Sequence, residues 1–456
     1  MKKYSEFLSG KDLLVKSCGF EINRDDLNPK LYDFQKDIVR FSLMKGRSAI
    51  FADCGLGKTP MQLEWAQKVS EHTQMPVLIL APLAVASQTE REGEKFGIHV
   101  TICEKREDIQ PGVNITNYEK MDKFVAADFS GVVLDESSIL KSFSSKTRMA
   151  LIDMFQQTPY KLCCTATPAP NDHMELGNHS EFLGIMTRAE MLAMYFVHDG
   201  SRTSQWRLKG HAQDVFWQWM ASWSVFLSNP RDLGYHIDGY DLPQLNLHEI
   251  IVDGDKPIMK ELTLTERRQA RKDSLDARVQ AAANLVNHSD DQWLCWCDLN
   301  AEGNALKNAI PDSIEVAGAD TPEHKKTSML DFADAKIRCL VTKPKIAGFG
   351  MNWQSCHNMI FVGLSDSFEA YYQAVRRCYR FGQDKEVNVY IIISAAEGCV
   401  KENIERKQHD ADTMRDAMTQ YTKEITKKEL RQTTHISTPY NPRVPMKLPK
   451  WEEFAA

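Results

Sequence analysis

Apolar residues in this chain fall in short runs, and the runs alternate with stretches of helical period. Ser48-Ala-Ile-Phe-Ala52, Val77-Leu-Ile-Leu-Ala81, Val100-Thr-Ile102, Val113-Asn-Ile-Thr116, Gly131-Val-Val-Leu134 and Tyr160-Lys-Leu-Cys-Cys164 are strand-length and largely apolar. Strands covered by helices on both faces read this way. A helical pattern through Ile38, Val39, Phe41 and Leu43 precedes the first run, and another through Met61, Leu63, Trp65, Ala66 and Val69 follows it. Strand, helix, strand in this order predicts a parallel sheet with right-handed crossovers, here over residues 28–171.

A second alternation begins near Asp291, with Trp293-Leu-Cys-Trp-Cys297, Ser313-Ile-Glu-Val316, Ile337-Arg-Cys-Leu-Val-Thr342, Asn358-Met-Ile-Phe-Val362 and Val387-Asn-Val-Tyr-Ile-Ile-Ile393. The expected fold class is α/β, two tandem lobes built on parallel sheets, the second spanning 291–395. Residues 1–27 read as an N-terminal extension and 172–290 as a helical, aromatic-rich insertion or linker. Residues 396–456 read as a helix from Gly398 to about Gln420 and an extended tail carrying Pro439, Pro442, Pro445 and Pro449. Trp219 and Trp223, four apart, suit core packing first and a base-stacking platform second. Arg267, Arg268, Arg271 and Lys272 make a basic helical patch, a solvated face or a phosphate contact.

A length of 456 residues accommodates two or three cores, and 43% hydrophobic with 26% charged residues is the balance of a globular protein. No apolar run reaches the ~18 residues of a membrane span. Lys2 and Lys3 are followed by Tyr4-Ser-Glu-Phe, not by an apolar signal region. The expected location is cytoplasmic, in a bacterial or viral source. The eleven cysteines contain no CxxC pair, which suits buried free thiols in a reducing compartment. The net charge of -6 offers no global argument for nucleic acid, so such binding requires a locally basic cleft.

The chemistry begins at Ile50-Phe-Ala-Asp-Cys-Gly-Leu-Gly-Lys-Thr-Pro60. Asp53, Cys54, Gly55, Leu56, Gly57, Lys58 and Thr59 read as a phosphate-binding loop between a strand and a helix start. Its glycines let successive amides face phosphate oxygens, and the helix start adds its dipole. Lys58 reaches the β/γ-phosphates and Thr59 takes a place on Mg²⁺. Ala52 stands where the eight-residue pattern has its first glycine, and Pro60 falls in the first helical turn, where its missing N–H costs nothing.

Asp135 and Glu136 follow an apolar strand. The first suits the Mg²⁺ shell and the second the activation of water. Thr165 and Thr167, after another strand, can bond the acidic pair and couple it to the phosphate state. Gly348 and Gly350 allow close backbone approach to a ligand or simply a tight turn. Arg377 and Arg380, three apart on an expected helix, can point the same way, and their planar forks pair with an anionic transition state.

In order along the chain, these stretches resemble the superfamily-two helicases, and within them the Swi/Snf-like double-stranded-DNA translocases. The residues that match are Tyr32 to Gln35, Asp53 to Thr59, Ala81-Pro82-Leu83, Ile115 to Glu119, Asp135-Glu136, Thr165 to Pro168 with Asn171 and Glu175-Leu176, Gly348 to Asn352, and Gln373 to Gln383. The resemblance implies two RecA-like, P-loop NTPase lobes with ATP and Mg²⁺ between them. Tyr32 and Gln35 would lie on the adenine side, Lys58 and Glu136 would act on the phosphates, and Arg377, Arg380 and Gln373 would complete the site from the second lobe. The implied partner is duplex DNA, held by sequence-independent backbone contacts, and the implied activity is nucleic-acid-dependent ATP hydrolysis. The alternatives are a strand-separating helicase on single-stranded DNA or RNA, and an ATP-gated binding module without hydrolysis. Ser137-Ser138 departs from the family's Ala or Cys followed by His or Asp, which bears on the usual coupling contact to Gln373.

Overall fold

The computed structural model describes residues 15–394 apart from 83–84, 143–144, 170–171, 199–205, 253–263, 348–350 and 365–366, with a few helical positions between 406 and 419. In chain order the first lobe contributes α1 (Asp33–Lys45), β1 (Arg47–Ala52), α2 (Lys58–Thr73), β2 (Val77–Ala81), β3 (Val100–Ile102), β4 (Val113–Asn117), β5 (Gly131–Asp135) and β6 (Tyr160–Thr165). There follow α3 (Leu176–Leu183), a short antiparallel pair β7 (Phe196–His198) and β8 (Trp206–Leu208), and β9 (Ser224–Leu227). The first sheet is parallel in the order β3-β4-β2-β5-β6-β1-β9.

Side chains alternate across this sheet, as a strand's two-residue period requires. Ile50 and Ala52 join Phe34, Ile38, Trp65 and Val69 on one face, while Ala49 and Phe51 join Phe182, Trp217, Trp219 and Trp223 on the other. The aromatic stretch is thus the second covering layer of the first lobe. The expected insertion over 172–290 is divided: β9 extends the first sheet beside β1, and β10 (Leu245–Ile251) joins the second. The cause is burial. Trp219 and Trp223 lie within the core, 5.5 Å apart between ring centres, and no longer present a stacking platform.

The N-terminal boundary also moves. The amides of Cys18, Gly19 and Phe20 bond the carbonyls of Lys45, Met44 and Leu43 at 3.2, 3.2 and 3.1 Å. These carbonyls close α1 and have no partner within the helix, so residues 18–27 belong to the first lobe instead of standing apart. A side chain on Gly19 would put its Cβ 1.8 Å from the Leu43 oxygen.

The second lobe runs through α4 (Leu275–Asn287), β11 (Trp293–Trp296), α5 (Asn300–Ala309), β12 (Ser313–Val316), β13 (Cys339–Thr342), β14 (Asn358–Phe361), α6 (Phe368–Val375) and β15 (Val387–Ile393). Its parallel sheet has the order β10-β15-β14-β11-β13-β12. Beneath it lies a fully buried ion pair, Arg278 Nη1 to Glu302 Oε1 at 2.8 Å. Arg278 also donates to the Arg271 and Val362 carbonyls, while Glu302 Oε2 accepts the amides of Asp298 and Leu299 at 2.8 and 2.9 Å. The pair ties α4, the start of α5 and the end of β14 together. The expected C-terminal helix is helical at the positions described, 406, 409, 412, 416 and 419; the tail beyond lies outside the described residues.

Candidate functional site

Because β5, β6 and β1 are neighbours in a parallel sheet, the segments leaving their carboxyl ends lie side by side. That edge is where α/β sheets bind ligands. It gathers Asp53 to Thr59, Asp135-Glu136 and Thr165 to Thr167, which are far apart in sequence.

Gly55 and Gly57 take φ of 87° and 79°, the left-handed conformation that favours glycine. A Cβ on Gly57 would lie 2.2 Å from Gln35 Nε2. Gln35 explains the close fit: its Oε1 accepts the Tyr32 amide at 2.9 Å and its Nε2 donates to the Leu56 carbonyl at 3.1 Å. One side chain therefore joins the start of α1 to the loop. Tyr32 itself is 42% exposed, with the rings of Tyr240 and Phe381 at 6.2 and 6.4 Å. Lys58, the first residue of α2, donates to the Ala52 and Asp53 carbonyls at 2.8 and 3.2 Å, and Thr59 follows it half-buried. The Cys54 amide bonds Asp53 Oδ1 at 2.6 Å, with Cys54 itself half-buried.

Asp135 ends β5, its carbonyl held by the Tyr118 hydroxyl at 2.8 Å. Glu136 adopts φ 60° and accepts from Thr165 Oγ1 at 2.5 Å and Ser138 Oγ at 3.1 Å. Thr165 in turn accepts the Thr167 amide at 3.1 Å, so the expected link from these threonines to the acidic pair is made through Thr165. Burial pushes the Asp135 and Glu136 carboxyls above their ordinary range, and Lys58 opposes the shift in both. Ser137 Oγ lies 3.2 Å from Nε2 of His179, whose pKa burial lowers to about 4, so the imidazole is neutral.

The second lobe meets this edge through α6 and the turn after it. Arg377 and Arg380 lie on that turn and not on the expected helix, since α6 ends at Val375. They do point the same way, donating to the Met351 carbonyl at 3.1 and 3.2 Å. Burial lowers the Arg377 pKa, and the charges of Glu136 and Asp135 act against that. Arg380 falls to about 10, from burial and then from Arg377 beside it. A Cβ on Gly55 would lie 2.8 Å from the Phe381 amide and 3.5 Å from Arg380 Cβ, so this turn abuts the glycine loop. Gln373 is buried with neither its amide nitrogen nor its oxygen bonded. Gly348 and Gly350 lie outside the described residues.

Four residues that bridge the lobes were not among those expected from the sequence. Arg376 Nη2 bonds Asp53 Oδ2 at 2.5 Å, and the Tyr372 hydroxyl bonds the other carboxylate oxygen. Burial works against the Arg376 charge, but Asp53 outweighs it and the pKa is raised. Lys141 forms an ion pair with Glu369. A signal for three of them was present: 369, 372, 373 and 376 are spaced to share one face of a helix.

Among the described residues no group of three or more His, Cys, Asp or Glu forms a metal cage, and no helix is long and apolar enough to cross a membrane. The SNF2-related domain matches residues 34–191, and the helicase conserved C-terminal domain matches residues 278–382. The SWI/SNF-related matrix-associated actin-dependent regulator of chromatin subfamily A-like protein 1 of Xenopus tropicalis is 26% identical over 182 residues, 37% of this chain and 19% of that protein. The DNA annealing helicase and endonuclease ZRANB3 of Bos taurus is 28% identical over 210 residues, 41% of this chain and 19% of that protein. The chain thus spans about a fifth of the length of these relatives. A solved structure, the Sulfolobus solfataricus SWI2/SNF2 ATPase core in complex with dsDNA, aligns over 90% of this chain and 98% of its own, at 16% identity and a TM-score of 0.42.

Proposed function

From the premise that this chain belongs to the SNF2-related helicase-like proteins, we propose that it hydrolyses ATP to translocate along duplex DNA. One observation carries the reading. A left-handed glycine loop with Lys58, and a carboxylate pair two strands away, share one sheet edge, and the Arg377 charge of the other lobe lies within electrostatic reach of that pair.

The residues fit an Mg²⁺–nucleotide. Gln62 stands beside Asp135 and favours its charged form by hydrogen bonding, while Gln373 on the opposite lobe has both side-chain polar atoms buried without partners. A cation that keeps its waters and borrows phosphate oxygens needs one or two protein ligands, not a cage, and Asp135 and Thr59 supply them. When bound, the metal neutralises charge on the phosphates and aligns them for in-line attack.

The loop amides and Lys58 hold the phosphates, while the Tyr32, Tyr240 and Phe381 rings flank the base. Glu136, whose charged form Lys58 and Thr165 favour against burial, orients water and takes its proton. Arg377 and Arg380 release the Met351 carbonyl and turn to the terminal phosphate. Lobe closure and reopening then advance the chain along a DNA backbone in a cytoplasmic setting.

Phosphate release measured with matched duplex DNA, single-stranded DNA and RNA tests the reading. Duplex stimulation is expected, steeply weakened by salt, and Glu136→Gln retains ATP binding without turnover. Equal rates with and without every nucleic acid would overturn the proposal. Stimulation by single strands alone would assign strand separation instead.

A further inference from the structure

Neither serine after Glu136 directs its hydroxyl to the second lobe, Ser137 Oγ lying 3.2 Å from His179 Nε2. Ser138 Oγ is turned back onto Glu136 Oε1 at 3.1 Å, and the buried Gln373 side chain has neither polar atom bonded. The gap is bridged one turn away on each side. The chain leaves Glu136 in a single tight turn, Ser137–Leu140, and the next residue, Lys141, pairs with Glu369. Glu369 is buried, on the first turn of α6, one turn before Gln373 and two before Arg377.

Both ends of this bridge are held. The carbonyls of Leu140 and Lys141 accept from Asn178 Nδ2 at 2.9 and 3.0 Å, which fixes the Lys141 backbone to α3. On the other lobe, the Ala370 amide bonds Ser367 Oγ at 3.2 Å, which caps α6 beside Glu369. A displacement of α6 therefore reaches the Glu136 turn through one ion pair. A displacement of that turn reaches Gln373 and Arg377 by the same route. Lys141 also offsets the Glu369 carboxylate, which would otherwise stand unpaired and buried near the acidic pair.

We propose that Lys141 and Glu369 are a positioning pair for hydrolysis, the contact that couples the water-orienting turn of one lobe to the arginine turn of the other. This rests on the ATPase reading above, and the experiment separates the two. Steady-state phosphate release is measured for the full chain against ATP, with and without linear duplex DNA, for wild type, K141E, E369K, K141E/E369K, K141R, K141M and E369Q.

The expectation is that each reversal lowers kcat about tenfold or more while KM for ATP stays within about threefold, since the pair touches no phosphate. The double reversal returns kcat to within about threefold of wild type, as a pairwise coupling requires, and K141R retains most activity. Thermal melts identify any single variant that fails to fold, in which case K141M and E369Q replace the reversals. Wild-type kcat in the single variants, or a double variant no better than the worse single, would overturn the pair. A wild type that no nucleic acid stimulates would instead overturn the translocase reading, with the pair still decided on basal turnover.

Discussion

Replacing Thr165 with valine preserves the side chain's shape and removes its hydroxyl. That hydroxyl donates to Glu136 Oε1 at 2.5 Å and accepts the Thr167 amide at 3.1 Å. A hydrogen bond to a charged group contributes about 1.5–3 kcal/mol, and one pKa unit corresponds to about 1.4 kcal/mol. Loss of the bond therefore raises the Glu136 pKa further, and Ser138 Oγ, 3.1 Å from the same oxygen, limits the rise.

The sign follows from the base being active when ionised. Burial already holds Glu136 above the ordinary carboxyl range, and Thr165 opposes that shift. Thr165→Val moves the acidic limb of the kcat–pH profile to higher pH, so activity falls more at pH 6 than at pH 8.5. On the acidic side of the profile the expected loss is about tenfold, from about 1.5 kcal/mol of lost hydrogen bonding. The assay is phosphate release at saturating ATP and duplex DNA across that range. Thr165→Ser, which retains the hydroxyl, should restore the limb. A valine variant with an unmoved limb and unchanged kcat would refute the assignment of Thr165 as a residue that favours the charged form of Glu136.

Arg377→Ala and Arg380→Ala should each lower kcat by orders of magnitude, arginines in comparable phosphoryl-transfer sites contributing about 10³–10⁵; ATP binding measured by nucleotide fluorescence should change far less. Glu302→Ala removes the buried carboxylate that Arg278 pairs with in the second lobe's interior, a loss of about 3–5 kcal/mol that urea unfolding of that lobe would register. Burial lowers the Lys161 pKa to about 8, so the folded state disfavours its charge. Stability should rise as pH climbs from about 8 toward the unfolded lysine value near 10.4, and Lys161→Met should flatten that rise in melts across the range. Gly57→Ala combines φ 79° with a Cβ 2.2 Å from Gln35 Nε2; ATP affinity should fall, and Gln35→Ala should recover part of it.

The strands of both sheets were legible wherever an apolar run was buried on both faces, because such runs leave no polar phase to confuse with a helix. β10 was not. Leu-Asn-Leu-His-Glu-Ile-Ile is largely exposed, and it is a strand only because β15 lies along its whole length. Such pairing depends on residues remote in sequence. In the Trp-rich approach to β9 the spacing of Trp219 and Trp223 is helical although the helix there, Gln213–Ala221, stops before Trp223, so Ser224–Leu227 was read as part of a helical texture. The helix end at Val375 was equally hidden. No glycine or proline stands between Arg376 and Arg380; instead the Trp353 amide takes the Arg377 carbonyl at 2.9 Å, and Met351 takes both guanidinium groups. Tertiary bonds there override local propensity.

The placement of the first lobe's candidate residues at one sheet edge was legible for a different reason. A loop that wraps phosphates needs glycine at fixed positions and a lysine at the helix start, and a metal needs a carboxylate at a strand end, so residue type and spacing suffice. The contacts between lobes obey no such rule. Asp53 was read only as part of the phosphate loop, yet its carboxylate is held by Tyr372 and Arg376 of the other lobe. Opening the cleft by rotation would strip Arg376 and Tyr372 from Asp53 and Lys141 from Glu369 together, because all three second-lobe side chains share one face of α6 and its following turn. Two partly buried charge pairs lost in one step resist opening more than either pair alone, which makes that face the element whose substitution should most change the lobe-opening rate.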